Sequence, residues 1–417
     1  MAYLPRVVDF ELDALKPLNG AYLIEGPKGV GKTATAIRRA KTIWDLSDSN
    51  IRSGIAESPL LALEGRAPIL IDEWQLVPDI WNEVKRAVDS KGFLGTSILL
   101  TGSTPINFPN LHSGAGRIIP IRMRPMALSE RGVIESTISF RQLLAGYRPT
   151  KLKQCKLDSK LYVKEILRSG FPGIRQIDNP IQHHRALQKY IELIATRDLP
   201  EQGFYLRKPQ LFMSWLQAVA SMVATTASWS KIRSVAEIKN DVSLSKLTSQ
   251  PYIDLLKSLH IIDNLPAWTG SKNFFHALLQ GDKHFLADPA LATTLLKLGQ
   301  KDLETAKNQE ILGRLFEALV VQSIKVYCSA ISADLYYMRT KDGRHEVDLI
   351  VESLDGVRTA IEIKLSEAFD SSVTKNLLWL KANSKKDIEN LVVIYGGRYH
   401  FTDKDGVVFV PFGELGF

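Results

Sequence analysis

The sequence predicts an α/β protein built from more than one domain, and three observations predict it. The chain has 417 residues, beyond the roughly 250 to 300 at which a single core stops growing. Short Ile- and Leu-rich runs alternate with helical patterns up to about residue 125. A second alternation of strand signals follows a long helical pattern that starts near residue 305. Hydrophobic residues make up 45% and charged residues 24%, the balance of a globular protein with a substantial core.

The first section sets the pattern. "AYLIEG" (21–26), "TIWDLSD" (42–48), "APILIDE" (67–73) and "TSILLTG" (96–102) are brief and end in Gly or an acid. Such runs read as strands buried on both faces of a parallel sheet. "KTATAIRRAKTIW" and "WNEVKRAVDSKG" read as helices between them. Residues 141–175 are basic, with Arg141, Arg148, Lys151, Lys153, Lys156, Lys160, Lys164, Arg168 and Arg175 against Asp158 and Glu165. This stretch reads as a linker into a mainly helical region, either a solvated surface or a nucleic-acid contact.

Residues 209–230, "PQLFMSWLQAVASMVATTASWS", carry no charge over a length that could span a bilayer. Gln, Ser and Thr recur throughout, so we read a buried, broken helix and expect no membrane partner. In "SLSKLTSQPYIDLLKSLHIID", Ser249 is placed to cap a helix whose first turn holds Pro251. Tyr252, Leu255, Leu256 and Leu259 then mark one helical face. With the preceding "SVAEIKNDV" this is a helix-turn-helix pattern of the winged kind. Its second helix is poor in Arg and Lys, which favours packing over base reading. The last section opens with the helix "NQEILGRLFEALVVQSIKVY" and continues as a second α/β unit.

Net charge is +8, with a sequence pI near 9.2. The excess favours polyanionic partners such as nucleic acid. Cys155 and Cys328 lie far apart with no His or Cys at metal spacing, so no zinc site or disulfide framework is readable. The opening "MAYLPRVVDF" has no leader pattern, and a cytoplasmic location is expected.

"GPKGVGKT", residues 26–33, fits the phosphate-binding pattern G-x-x-x-x-G-K-[ST] at every fixed position. Gly26, Pro27, Lys28, Gly29, Val30 and Gly31 form a loop whose N–H groups would face phosphate oxygens. Lys32 would reach the β and γ phosphates of ATP, and Thr33 would offer its hydroxyl to Mg²⁺. The helix that follows adds the positive end of its dipole. In "ILIDEW", Asp72 would hold the Mg²⁺ shell and Glu73 would polarise the attacking water. "LLTGST" ends a further strand at Thr101, and Ser103 or Thr104 takes the place of a polar sensor. In "SGAGRIIPIRMRP", Arg117 is the candidate to reach a neighbouring copy's nucleotide in a homo-oligomer, with Arg122 and Arg124 nearby; a surface arginine without that role is the alternative.

The stretch "GRHEVDLIVESLDGVRTAIEIKL" (343–365) carries a second chemistry. Strand side chains alternate faces, so Glu346 and Asp348 share one face, and Glu362 and Lys364 share one face. Asp-Gly between the two runs is a hairpin signal. The hairpin can bring Asp348, Glu362 and Lys364 together, the D…E-x-K pattern of a metal-dependent phosphodiesterase. The acids would hold Mg²⁺, the lysine would orient or neutralise, and Glu317 could add a further carboxylate. Val347 stands where a proline often precedes the first acid. A solvated hairpin face is the alternative.

Together "GPKGVGKT", "ILIDEWQLVPDIWNEVKRAVD", "LLTGSTP", "SGAGRIIPIRMRPMALSE", "SGFPGIR", "HFLADPALA", "GRLFEALVV" and "EVDLIVESLDGVRTAIEIKL" give the chain its resemblance. It resembles the bacterial and archaeal AAA+-like P-loop ATPases that carry a C-terminal restriction-endonuclease-like domain of unknown function. The resemblance implies a P-loop NTPase (AAA+-like) domain at 1–140, a helical lid and winged-helix-like region at 141–300, and a restriction-endonuclease-like α/β domain at 301–417. It implies an ATPase coupled to a nuclease-like module acting on DNA. The alternatives are a non-cutting ATP switch with a degenerate module, and an ATPase whose partner is a protein.

Overall fold

The computed structural model describes residues 3–15, 19–92, 95–102, 116–149, 153–154, 159–240, 244–268, 281–366, 372–384 and 388–417. Ser103, Thr104, Lys151, Cys155, Lys156 and Asp158 lie outside the described residues. The chain forms two compact units. One comprises Met1–Pro125 with Ser258–His260, the other Met126–Lys257 with Ile261–Phe417.

The first unit is built on five parallel strands: β1 (Gly20–Glu25), β2 (Thr42–Asp45), β3 (Ile69–Asp72), β4 (Ser97–Thr101) and β5 (Ile118–Arg122). Their order is β2-β3-β4-β1-β5. Helices α1 (Val7–Ala14), α2 (Lys32–Ile37), α3 (Ser49–Glu57) and α4 (Ile80–Lys91) accompany them. Alternation explains why every residue of β3 is apolar until the last. Ile69 and Ile71 join a core with Ile80, Val84 and Val88 of α4, whereas Leu70 joins Leu99, Tyr22 and the α1 residues Val8 and Leu12. Each such side chain contributes about 1.5–3 kcal/mol by leaving water. The helix expected over 32–44 stops at Ile37. From Thr42 the backbone is drawn into the sheet beside β3, with the Lys41 N–H donating to Pro68 O at 2.8 Å.

The second unit holds a seven-stranded mixed sheet. Its strands are β7 (Lys153–Gln154), β8 (Asp334–Arg339), β9 (Glu346–Glu352), β10 (Arg358–Lys364), β11 (Asn390–Tyr395), β12 (Tyr399–Thr402) and β13 (Val408–Pro411), in the order β7-β12-β13-β11-β10-β9-β8. Two further short strands, β6 (Ile138–Ser139) and β14 (Leu415–Gly416), pair in parallel apart from it. The helix Gln309–Ala330 packs against β8 and β10.

The 209–230 stretch is a helix, Pro209–Ser221, broken before a second one, Trp229–Asn240. Phe212 and Trp215 are fully buried against Tyr252. Among the described residues, no helix is long and apolar enough to cross a membrane. The next helix, Lys246–Ser258, starts a turn earlier than its sequence signals. The Ser245 hydroxyl accepts from the Thr248 N–H at 3.1 Å, so Ser245 caps it. Ser249 is therefore buried inside the helix and Pro251 is interior. Two antiparallel bridges follow, Ile262 with Leu286 and Leu265 with Lys283.

Several quoted motifs turn out to hold one another. Asp288 of "HFLADPALA" caps its helix through Ala290 N and accepts from the Gly170 N–H of "SGFPGIR" at 2.6 Å. A Cβ on Gly170 would come within 2.8 Å of Met126 backbone atoms. Arg131 is buried and bonds Met126 O and Glu165, which also pairs with Arg175 at 2.7 Å. Two arginines of the basic stretch are thus committed internally, Arg175 to Glu165 and Arg168 to Asp178. Lys160 and Lys164 remain exposed.

Candidate functional site

The nucleotide-type site stands at the carboxyl ends of β1, β3 and β4. Gly26, Gly29 and Gly31 have φ of +153°, +75° and +105°. At Gly26 a Cβ would lie 2.1 Å from Met123 O, so only glycine fits. Lys32 folds back into the loop, its Nζ donating to the carbonyls of Gly26 (2.9 Å) and Pro27 (3.0 Å). Thr33 Oγ1 donates to Asp72 Oδ1 at 2.8 Å, and Thr101 Oγ1 also bonds Asp72. β4 separates β1 from β3 and aligns Thr101 with Asp72. The strand register places Thr101 on the carboxylate, and the helix that starts at Lys32 places Thr33 there.

Glu73 follows with φ +53°, a left-handed backbone that costs a non-glycine residue about 1 kcal/mol or more. The short helix Trp74–Leu76 and the Trp74–Trp81 stack, at 4.7 Å, hold it there. Its carboxylate accepts from the Gln75 amide. Gly102 packs against Gln75 and the Trp74 indole, where a Cβ would meet Gln75 Oε1 at 2.6 Å. Arg117 is bonded through Nε to Asp89 at 2.6 Å, with both side chains largely exposed. Arg122 meets His260.

Thr33 and Asp72 offer hard oxygens at one point, a donor set that suits Mg²⁺. The glycine loop and Lys32 suit a polyphosphate. The site therefore fits the groups its motifs imply. Burial lowers the Lys32 ammonium to about 8, against the pull of Glu73 and Asp72. A bound anion would restore the proton, so affinity for ADP should fall as pH rises above 8, by about tenfold per unit. Calorimetry at pH 7 and pH 9 in buffers of different ionisation heat checks this: proton uptake approaching one per ADP is expected at the higher pH only, and absent in Lys32→Met.

The second cluster lies in the other unit, on one face of the β9–β10 hairpin. The strands pair antiparallel, Ile361 opposite Leu349, around the Asp355-Gly356 turn. Asp348 and Glu362 are 8% and 5% exposed, so the face is not a solvated one. Asp348 Oδ2 accepts from the Ile363 N–H at 2.9 Å, and Lys364 Nζ pairs with Glu362 at 2.8 Å. Glu317 reaches the same cluster from the helix Gln309–Ala330. At its centre is a residue that sequence reasoning missed. Lys283 Nζ lies 2.7 Å from Glu317, 3.0 Å from Glu346 and 3.2 Å from Asp348. Among the described residues, no group of three or more His, Cys, Asp or Glu is placed to hold a metal ion.

Charge follows the geometry. Burial would lower the Lys283 ammonium, but Glu317, Asp348 and Glu346 outweigh it and hold it well above the ordinary lysine value. Burial pushes Glu317 and Glu362 up, and neighbouring Asp348 adds to both. Lys364 is raised, burial being outweighed by Glu362 and Asp348.

Three comparisons bear on these sites. Residues 18–131 match the family described as an AAA domain. Residues 159–302 and 312–415 match two domains of unknown function, DUF8612 and DUF4143. No curated protein matches the chain. Two solved structures are similar at a distance. One is a structure of Drosophila ORC bound to DNA, 11% identical with a TM-score of 0.19, covering 69% of this chain and 95% of that one. The other is the crystal structure of the Pyrococcus furiosus Hef helicase domain, 13% identical with a TM-score of 0.19, covering 94% and 89%. Scores this low support no function.

The AAA-matching stretch contains Gly26 through Thr33, Asp72, Glu73, Thr101 and Arg117. Thr33 and Thr101 meet on Asp72 and Lys32 is bonded to the loop carbonyls of Gly26 and Pro27, whereas Arg117 is engaged with Asp89. Thr101 was legible as a strand end but not as a partner of Asp72. The register supplies that partner, since both residues close parallel strands.

Proposed function

We propose that the chain is a Mg²⁺-dependent ATP hydrolase, and that its nuclease-like C-terminal part does not cut as folded. The observation that carries the first half is the bond of Thr33 to Asp72 at the end of β3, with Lys32 folded into the phosphate-type loop beside it. Gly26–Gly31 would cradle the phosphates through backbone N–H groups. Lys32 would neutralise charge on the β and γ phosphates. Thr33 and Asp72 would hold Mg²⁺, which when bound spreads the charge that develops on the phosphate oxygens. Glu73 would orient the attacking water and take its proton. Phosphate release from ATP by the full chain tests this half: turnover that needs Mg²⁺ is expected, and none under any Mg²⁺ concentration overturns it.

The second half is carried by Lys283. An ammonium already pairs with Asp348, the first acid of the D…E-x-K reading, and with Glu317, so the non-cutting switch is the better supported of the two readings. In that reading the three parts, 1–140, 141–300 and 301–417, couple nucleotide state to contact with DNA, for which the net charge of +8 is the support. Arg117 is the candidate to reach a second copy's nucleotide. Incubating plasmid with the full chain and Mg²⁺ or Mn²⁺ separates the readings. Intact plasmid is expected. Nicking that vanishes in Lys364→Ala contradicts the non-cutting reading and leaves the ATPase half standing.

A further inference from the structure

Four carboxyl groups, Glu317, Glu346, Asp348 and Glu362, face two ammonium groups, Lys283 and Lys364. Lys283 has three N–H donors, and three of the acids lie within 3.2 Å of its Nζ. Its side chain is 3% exposed. Its backbone is fixed in both directions: Lys283 N donates to Leu265 O at 2.8 Å and Leu265 N donates to Lys283 O at 2.9 Å. The same segment is tied to β8, since Tyr337 N donates to Pro266 O at 3.0 Å and Trp268 N to Tyr337 O at 2.6 Å. This is a built-in cation rather than a surface lysine that has swung inward. Meanwhile Glu362 Oε2 is buried with no hydrogen-bond partner among the described residues.

We propose that Lys283 is the resident counter-cation of this acidic pocket, excluding a divalent ion from it, and that removing its charge turns the pocket into a divalent-cation site held by Glu317, Glu346 and Asp348. The inference rests on the non-cutting reading above. Its physical basis is exclusion. Carboxylate oxygens bind Mg²⁺ or Mn²⁺ at about 2.0–2.6 Å, and such an ion would fall on the place of Nζ. Two cations cannot share that spot, because their repulsion in a buried setting exceeds what either gains. Without Lys283, Glu362 and Glu346 keep Lys364 and Arg339, but Glu317 and Asp348 keep no ion-pair partner among the described residues, and a divalent cation with oxygen preference is the ligand chemistry that satisfies them.

The test is Mn²⁺ binding to the full chain without nucleotide, read by the EPR signal of free Mn²⁺. The wild type and Glu317→Gln should bind the same number of ions, since the pocket takes none in either. Lys283→Ala should bind one more ion per chain, the gain should disappear in Lys283→Ala/Glu317→Gln, and Mn²⁺ should raise the Tm of Lys283→Ala more than that of the wild type. Loss of one ion per chain on going from the wild type to Glu317→Gln overturns the proposal, because the pocket then binds metal with Lys283 in place. A folded Lys283→Ala that gains no ion also overturns it. Should Lys283→Ala fail to fold, the comparison of wild type with Glu317→Gln decides alone. Plasmid nicking by the wild type would instead sink the non-cutting reading, whatever the ion count.

Discussion

Lys32→Ala is expected to lower ATP turnover by a hundredfold or more, on the order of what one preorganised charge-stabilising group contributes. The side chain sits inside the loop; among the described residues its donors go to Gly26 O and Pro27 O. Burial disfavours its charge. Removing it should therefore leave the unliganded fold as stable as before, while the loop's carbonyls turn to water. What should vanish is stabilisation by nucleotide. For the wild type, ADP at a hundred times its Kd adds about 2.7 kcal/mol to unfolding, a Tm rise of several degrees. The variant should show almost none. A variant with unchanged Tm in buffer but an intact ADP-induced rise would mean that Lys32 does not touch the phosphates.

Glu73→Gln should separate binding from chemistry. Glutamine keeps the size of the side chain and the left-handed backbone at this position, but it cannot accept a proton from water. Nucleotide affinity should stay close to that of the wild type, and turnover should drop by about 10²–10⁴, the usual worth of a positioned general base. Single-turnover measurement with excess protein gives the chemical step free of product release. Near-normal turnover would place the water-orienting group elsewhere.

Much of the nucleotide site was legible because its chemistry is local. The glycines, Lys32 and Thr33 lie within eight consecutive residues, and Asp72 is announced by an apolar run that ends in an acid. Four of the five strands of the first sheet were legible from their apolar runs, whereas β5 was not, its Ile119 being exposed at the sheet edge. Element ends were less so. The helix from Lys32 stops early because pairing with β3 outcompetes helix propensity at Thr42–Trp44. Ser245, not Ser249, caps the Lys246–Ser258 helix, since both are serines with a helical run behind them and only the hydrogen bond distinguishes them. The β9–β10 hairpin was readable from period-two alternation and Asp-Gly. Lys283 was not. It sits just before "HFLADPALA", outside that motif, and its acid partners lie 34 to 65 residues away in sequence. Only the tertiary fold puts an ammonium over the hairpin's acids, and that one residue changes what the C-terminal pattern can do.

The claim at the centre is that Lys32, Thr33 and Asp72 make one site for a phosphate chain and its magnesium ion. A titration of the full chain with fluorescent ADP, in Mg²⁺ and again in EDTA, reaches it most directly. Saturable binding at one site per chain is predicted, tighter with Mg²⁺ in the wild type and insensitive to Mg²⁺ in Asp72→Asn. Saturable binding that is equally tight in EDTA, or no saturable binding at all, would contradict it.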